Sequence, residues 1–347
     1  MRTPVPSIIR FGLVVACLLL RLPAAQVATP FPADPQENER PVFRSNVNLV
    51  SLYFNVKDKQ GSPIRQLSKD DFLVTDNGRP QVIRYFAAEA TQPLTLSILI
   101  DTSGSLKGAI AAEQETAAEF LRQVLRENDR AGVVVFDMHV FLLQEFTGSV
   151  PKLMKAFEKI FVGAGSASGR LSDMDRVLDG PVGLRPVGDR MILRLGGTLL
   201  RDAVTLTARK TLSPETGRKA MIVLTDGVDQ GSSESIGKAI QAAQEADVVA
   251  YVILFNSPPD QPGFGRGEMK KLTFQTGGRE IKVGADRTKL KEALAQIAAE
   301  LHSQYYIGYT PADANFDGEF HKIAIKTGDP AYRVQSRTGY YARKDSK

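Results

Sequence analysis

The sequence predicts an α/β fold in which a doubly wound, mostly parallel sheet is inserted in, or flanked by, a small antiparallel β-sandwich. Two observations predict the sheet. Apolar runs typical of strands buried on both faces recur along the middle of the chain, and stretches of helical periodicity lie between them. A third observation predicts the sandwich, since short runs that alternate apolar and polar residues occur near both ends.

The composition is that of a folded globular chain, with 43% hydrophobic and 24% charged residues among 347. The net charge of +5 comes from Lys and Arg scattered among Asp and Glu, so no basic stripe indicates a nucleic-acid partner. Cys17 is the single cysteine, and His139, His302 and His321 are far apart in the sequence. We therefore expect any metal ligands to be oxygen atoms.

Residues 1–28 have the pattern of an export signal. Arg2 and Arg10 make the amino-terminal region positive. The ten-residue apolar run 11–20 comes next and is followed by small residues. The run is shorter than the roughly 20 residues that span a bilayer. We expect a secreted or periplasmic protein. A signal that is not cleaved and acts as an anchor is the alternative, because Arg21 follows the apolar run directly. Such an anchor would be the only expected attachment of the protein to a membrane.

After a Pro-rich linker at 29–42, residues 43–90 are predicted to form a small antiparallel β unit. Its predicted strands and its turn follow one another along the chain. They are Val47–Val56, Phe72–Thr75, the turn Asp76-Asn77-Gly78, and Gln81–Phe86. Asn-Gly between two such runs is a strong hairpin signal, because both central residues of that turn need positive φ.

Residues 92–303 carry the predicted parallel sheet. Its strands are Leu94–Ile100, Ala131–Phe136, Ala220–Leu224 and Val248–Phe255, and helical stretches lie near 106–125, 152–161, 199–210, 234–246 and 288–303. The run His139–Gln144 follows its predecessor across a very short link, which predicts an antiparallel edge strand.

Residues 304–343 return to short alternating runs, at Tyr305–Thr310, Phe320–Lys326 and Tyr332–Ser336. Residues 43–90 and residues 304–343 each have few strands and little core, so we expect the two segments to pack together into one sandwich. Two independent β caps are the alternative. The tyrosines of this region are expected at core and edge positions of the sandwich; they are Tyr305, Tyr306, Tyr309, Tyr340 and Tyr341.

Three polar clusters lie where predicted parallel strands end or a helix begins. They are Asp101-Thr102-Ser103-Gly104-Ser105, Gly196-Gly197-Thr198 and Thr225-Asp226-Gly227. Ligands of open α/β sheets bind beyond the carboxyl ends of the strands, so all three clusters can face one crevice. Carboxylates and hydroxyls suit Mg²⁺, with Mn²⁺ or Ca²⁺ as alternatives. So few carboxylates leave room for water or for a partner's carboxylate.

The pattern D-x-S-x-S, then T, then D, resembles the metal-ion-dependent adhesion site of von Willebrand factor A domains. The similarity covers about 92–303, and the flanking β pieces resemble bacterial secreted proteins related to that family. The resemblance implies that hydroxyls of Ser103, Ser105 and Thr198 hold the ion, with Asp101 and Asp226 acting directly or through water. Turn and helix-capping roles are the alternative for these five residues.

Two further features depart from, or add to, that pattern. Asp202 is interpreted as a charge in the first turn of a helix that helps to orient the loop. An insertion at about 163–195 replaces what is a short loop in usual family members. It either shapes partner choice or covers the metal, or it is a tolerated surface insertion.

The leading hypothesis is a non-enzymatic, metal-dependent module that binds a protein ligand offering a carboxylate. No histidine–carboxylate pair lies near a nucleophile, and the glycines at 263–267 have the look of a turn rather than a phosphate loop. One alternative is a metal-assisted hydrolase, for which Asp229 or Glu234 would be the general base. Another is a structural envelope protein with a vestigial metal site.

Overall fold

The fold is taken from a computed structural model, which describes residues 49–103, 114–163, 186–187, 190–191, 197–255, 266–312 and 318–342. The predicted signal, the linker and most of the predicted insertion lie outside these ranges, as does Ser105 of the predicted site. Within the described ranges, no helix has the length and apolar content that a membrane span requires.

Four strands come first among the described residues. They are β1 (Val50–Lys57), β2 (Phe72–Asp76), β3 (Arg79–Gln81) and β4 (Tyr85–Ala87). The turn between β2 and β3 is the predicted two-residue hairpin. Asp76 pairs with Arg79, and φ is 48° at Asn77 and 81° at Gly78.

The central sheet has six strands among the described residues. They are β5 (Leu94–Asp101), β6 (Arg130–Phe136), β7 (Val140–Thr147), β10 (Arg218–Thr225), β11 (Val248–Leu254) and β12 (Glu280–Lys282), arranged in the order β12-β11-β10-β5-β6-β7. Neighbouring strands run parallel except β7, which is antiparallel to β6 at the edge. The predicted fold class is confirmed, including the antiparallel edge strand. A two-stranded hairpin, β8 (Pro186–Val187) and β9 (Arg190–Met191), lies within the predicted insertion.

Helices cover both faces of this sheet. They are α1 (Gln114–Val124), α2 (Val150–Gly163), α3 (Leu200–Leu206, continuing as a π-helical turn through Leu212), α4 (Ile236–Glu245), α5 (Arg266–Thr276) and α6 (Arg287–His302). One hydrophobic cluster joins the sheet to α1, α2 and α6, and a second joins it to α3, α4 and α5. All eight residues of β5 are buried, which explains why its sequence is nearly apolar throughout.

The last strands complete a β-sandwich with the first ones. They are β13 (Tyr305–Tyr309), β14 (Phe320–Thr327), β15 (Arg333–Gln335) and β16 (Gly339–Tyr341). One sheet has the order β15-β1-β13-β4 and the other β16-β14-β2-β3, so each draws strands from both ends of the chain. The side chains of Phe54, Phe72 and Tyr305 meet in the sandwich core, with ring centroids 5.2 to 5.6 Å apart.

The prediction of one strand over Gln81–Phe86 is wrong. β3 ends at Gln81 and pairs with β2, whereas β4 begins at Tyr85 and pairs with β13 in the other sheet. Between them the chain crosses from sheet to sheet, with Ile83 buried in the core and Val82 exposed. Strands β12 and β16 have only three residues each, too few for a periodic pattern, and the sequence does not predict them.

A buried ion pair joins the sandwich to the base of the α/β region. Lys57 of β1 donates to Glu300 of α6 at 2.8 Å, and Gln335 of β15 donates to the other oxygen of that carboxylate at 3.3 Å. The Glu300 side chain is only 7% exposed. This contact lies beside the amino end of β12, because Arg279, the residue before that strand, lies 2.7 Å from the same carboxylate.

Candidate metal centre at the carboxyl end of the sheet

The strand order reverses between β5 and β10. From β5 the chain moves to β6 and β7 on one side, and later from β10 to β11 and β12 on the other. Ligand sites of doubly wound sheets lie at the carboxyl ends of the strands at such a reversal. Asp101 ends β5, and Thr225 ends the adjacent strand β10, where Leu224 pairs with Ile100. Two of the predicted clusters therefore meet at this point.

Asp101 is fully buried and is held by both clusters. The Thr225 hydroxyl donates to its Oδ2 at 2.8 Å, and the Ser103 backbone N–H donates to its Oδ1 at 3.0 Å. Thr225 in turn accepts from the Gly227 N–H at 3.0 Å. The role of Thr225 was not recognised in the sequence, although a hydroxyl just before Asp226 was the available signal.

The electrostatic environment of Asp101 disfavours its negative charge. Burial raises the pKa of this carboxyl to about 6, while hydrogen bonds from Ser103 and Thr225 oppose the rise and the nearby Asp226 adds to it. A buried carboxylate beside a second one is stabilised by a cation. The donors around Asp101 are neutral and therefore leave its negative charge without a cationic partner among them, which a bound cation would supply.

Asp226 and Ser103 lie on the two loops that leave these strands. Asp226 is partly buried, and its Oδ1 accepts from the Val228 N–H at 2.9 Å, which shapes the loop after β10. Ser103 is also partly buried and lies two residues beyond the end of β5. Ser103 hydrogen-bonds to the buried Asp101 carboxylate, and the charge of Asp226 acts on that carboxylate, so both residues lie near it.

Thr198 belongs to a third segment, just before α3. It is buried, and its carbonyl accepts from the Gln230 N–H at 3.0 Å. The next residue, Leu199, donates to the carbonyl of Asp137 at 2.8 Å. A Cβ atom on Gly197 would come within 2.6 Å of the Gln230 carbonyl oxygen, so glycine at this position permits the close approach of the two loops.

Asp202 lies in the first turn of α3, as expected, but its carboxylate accepts hydrogen bonds from the loop that follows β10. Its carboxylate is 3% exposed and accepts from the N–H groups of Ser233 at 2.9 Å and Glu234 at 2.8 Å. The loop that it orients is therefore the one after β10, which carries Asp226.

The Asp229 carboxylate accepts four hydrogen bonds, from Arg201 and Ser232. It accepts from the backbone N–H and the guanidinium of Arg201 at 3.0 and 2.9 Å, and from the N–H and hydroxyl of Ser232 at 3.2 and 2.5 Å. Burial acts to raise the pKa of this carboxyl, but the hydrogen bonds and charge of Arg201 and the hydroxyl of Ser232 outweigh it and lower the pKa.

The donor set fits a hard divalent cation. Within the described residues, no three His, Cys, Asp or Glu side chains form a metal-binding group. A site built here would therefore combine two carboxylates, Asp101 and Asp226, with hydroxyls of Ser103 and Thr198. Such oxygen donors suit Mg²⁺, Mn²⁺ or Ca²⁺.

Comparisons with known proteins give distant likenesses only. No protein-family model matches the chain, and no curated protein matches it. Among solved structures it is similar to proximal thread matrix protein 1 from the mussel byssus with a zinc-occupied MIDAS motif, at 14% identity and a TM-score of 0.43 over 65% of this chain and 49% of that one. The alignment thus spans about half the length of the mussel protein.

Two bacterial structures are similar at the same level. A conserved hypothetical protein, BatB, from Bacteroides thetaiotaomicron is 17% identical over 60% of this chain and 98% of that one, with a TM-score of 0.40. The vWF domain of the pili tip protein Mfa5 from Porphyromonas gingivalis is 13% identical over 60% and 95%, with a TM-score of 0.39. Likenesses this distant carry no conclusion about function. The resemblance to the von Willebrand factor A family rests on the three motifs.

Proposed function

We propose that this chain is an exported, metal-ion-dependent protein-binding module and that it is not an enzyme. The observation that carries the proposal is the buried Asp101 carboxylate at the reversal of strand order, with Asp226 beside it. A charged group without a balancing partner is costly to bury, and a binding site for a cation accounts for it.

In this proposal Asp101, Ser103, Thr198 and Asp226, together with Ser105 outside the described residues, hold a divalent cation, Mg²⁺ in the first instance. Bound there, the ion would supply positive charge that attracts a carboxylate of a partner protein. Asp101 and Asp226 supply the negative charge, and the hydroxyls fill further positions. Because the carboxylates are only two, a position remains for an acidic side chain of the partner.

The surroundings of Asp229 support a binding role over hydrolysis. A general base needs a free lone pair near the reacting water. Asp229 accepts four hydrogen bonds from Arg201 and Ser232, and its side chain is 5% exposed. The other candidate base, Glu234, lies 3.6 Å from Arg209 at the surface.

The metal site is tested by calorimetric titration of the 347-residue chain with Mg²⁺ and with Mn²⁺. We expect one saturable site, at least tenfold weaker in Asp226→Asn and in Ser103→Ala. The matched control is Asp247→Asn, at the amino end of β11. It removes a carboxylate that pairs with Arg337 at the opposite end of the strand from the site, and asparagine tolerates the φ of 56° there. Binding that persists in both site variants would overturn the assignment.

The partner class is tested with immobilised peptides that differ only in Asp or Glu against Asn or Gln. We expect capture of the acidic peptides in Mg²⁺ and release by EDTA. Equal capture with and without Mg²⁺ would favour a structural envelope protein with a vestigial site. Turnover of ester or phosphoester substrates that is lost in Asp226→Asn would favour the hydrolase.

A further inference from the structure

We propose that Arg201, Asp229 and Ser232 form a clamp that positions Thr198 against Asp226, so that cation affinity depends on residues that do not touch the ion. The inference rests on the proposed function and extends it from the ligands to the residues that hold them in place. We call these three residues the Asp229 clamp.

The two segments that the clamp joins are remote in sequence. Thr198 lies three residues before Arg201 at the start of α3, and Asp226 lies three residues before Asp229 after β10. The Arg201 N–H donates to Asp229 Oδ2 at 3.0 Å and to Ser232 Oγ at 3.1 Å. The Arg201 guanidinium donates to Asp229 Oδ1 at 2.9 Å. The clamp thus contacts each of the two segments three residues after the proposed ligand that the segment carries.

Ser232 closes the clamp on the side of the second loop. Its hydroxyl donates to Asp229 Oδ2 at 2.5 Å, and its N–H donates to Asp229 Oδ1 at 3.2 Å. The same hydroxyl accepts from the Asp202 N–H at 3.1 Å. One buried carboxylate therefore fixes the first turn of α3 and the loop after β10 in a single arrangement.

Charge and burial make these contacts strong. Hydrogen bonds between a guanidinium and a carboxylate are stronger than neutral ones, and they strengthen further where water is excluded. The Asp229 side chain is 5% exposed and that of Arg201 25%. Besides the clamp, the Gln230–Thr198 backbone bond joins the loops, and Gly197 leaves room for their approach.

A metal site is sensitive to such supports, since loss of residues behind the ligands weakens metal affinity about 10- to 100-fold. Asp229→Asn keeps the shape of the side chain but removes the charge and turns one acceptor into a donor. The hydroxyl of Thr198 and the carboxylate of Asp226 would then be less well fixed relative to each other. We expect weaker cation binding with the ligands themselves unchanged.

The test measures the Mn²⁺ dissociation constant of the 347-residue chain as wild type, Asp229→Asn and Ser232→Ala. The control is Glu300→Gln, which also removes a buried carboxylate from an ion pair but lies at the base of the α/β region. All measurements are made at a temperature where circular dichroism shows each variant folded. We expect at least tenfold weaker binding in Asp229→Asn, weaker binding in Ser232→Ala, and less than twofold change in Glu300→Gln.

Two results would overturn the clamp: binding by Asp229→Asn within twofold of wild type, or equal weakening by Glu300→Gln. If the wild type binds no Mn²⁺, the proposed function fails instead, and the clamp is judged by hydrogen exchange without metal. Amides at 197–202 should then exchange faster in Asp229→Asn than in wild type or Glu300→Gln. Unchanged exchange there would refute the clamp independently of the metal site.

Discussion

Two buried carboxylates, Asp76 in the sandwich and Asp101 in the central sheet, have different surroundings. Asp76 accepts from the hydroxyls of Tyr309 and Tyr340 at 2.9 Å each, and its other oxygen lies 2.9 Å from Nδ1 of His321. Asp101 has one side-chain donor from another strand, Thr225, and otherwise contacts its own loop. Both are at most 5% exposed, so burial alone does not distinguish them.

The difference lies in what satisfies the charge. Burial and the neighbouring Asp76 raise the pKa values of Tyr309 and Tyr340, which therefore remain protonated donors. The three partners of Asp76 belong to the sandwich and complete its core. At Asp101 the pKa is itself raised, to about 6, because burial outweighs the hydrogen bonds. A satisfied buried carboxylate supports the fold, whereas one under electrostatic strain marks a candidate site.

The largest effect is expected from Asp76→Asn. The substitution leaves two buried hydroxyls and an imidazole competing for a neutral amide that is itself partly a donor. We expect the free energy of unfolding to fall by about 3 to 4 kcal/mol, because hydrogen bonds to a charged group contribute about 1.5 to 3 kcal/mol each, with Mn²⁺ affinity unchanged where the protein is folded. Urea unfolding checks the stability, and a loss below about 1 kcal/mol would remove the contrast with Asp101.

Asp101→Asn should act with the opposite sign in metal-free protein. The folded-state pKa, about 6, is above the ordinary aspartate pKa of 3.8, so the folded state binds more protons between these values and wild-type stability falls as pH rises through them. At pH 7 the variant should be more stable than wild type by at most about 3 kcal/mol.

The measurement is urea unfolding in EDTA at several pH values from 4 to 7. Wild type should lose stability over this range relative to the variant, and saturating Mg²⁺ should reverse their order at pH 7 because only wild type binds the ion. A variant that is less stable than wild type in EDTA at pH 7 would mean that Asp101 is as well satisfied as Asp76.

Gly197→Ala tests whether the candidate metal site depends on the close contact between two loops. The group around Asp76 in the sandwich lies on strands and has no such dependence. The added Cβ would meet the Gln230 carbonyl at 2.6 Å, so the two loops must separate. We expect a loss of about 1 to 2 kcal/mol in stability, with weaker Mn²⁺ binding by calorimetry. Gly328→Ala is a suitable control, since no atom lies within 4 Å of the position of its Cβ.

The smallest effect is expected for an exposed carboxylate. Glu89 pairs with Arg126 at 2.8 Å, but the two side chains are 59% and 40% exposed. Glu89→Gln should change the unfolding free energy by less than about 1 kcal/mol, and the pair should weaken in high salt. A larger loss in urea unfolding would show that exposure is a poor guide to the worth of a carboxylate here.

The sequence predicted those parts of the fold that repeat a simple pattern. Residues 94–101 are buried on both faces, and an apolar run that ends in Asp101 predicts such a strand. The hairpin at Asn77-Gly78 was also predictable, because the turn needs positive φ at both positions. The candidate ligands could be proposed from the sequence because each follows a predicted strand or precedes a predicted helix.

Contacts between distant segments could not be predicted in this way. Nothing local indicates that Asp76 meets His321, which lies 245 residues later, or that Asp229 is held by Arg201. The change of sheet between Gln81 and Tyr85 was hidden because an apolar pair, Val82-Ile83, fits a strand as well as a crossing. In each case the deciding partner lies on another element.

The sharing of strands between the chain ends has a consequence for the order of folding. The central sheet is complete within residues 94–282, whereas β1 pairs with β13, as in the contact of Ser51 with Tyr306 across 255 residues. Closing so long a loop is slow until the segment between has folded. During synthesis β1, which contains apolar residues such as Phe54, therefore lacks its partner strand until β13 has emerged. We expect a chain truncated before β13 to keep its central sheet and to leave β1 unpaired, which would favour aggregation.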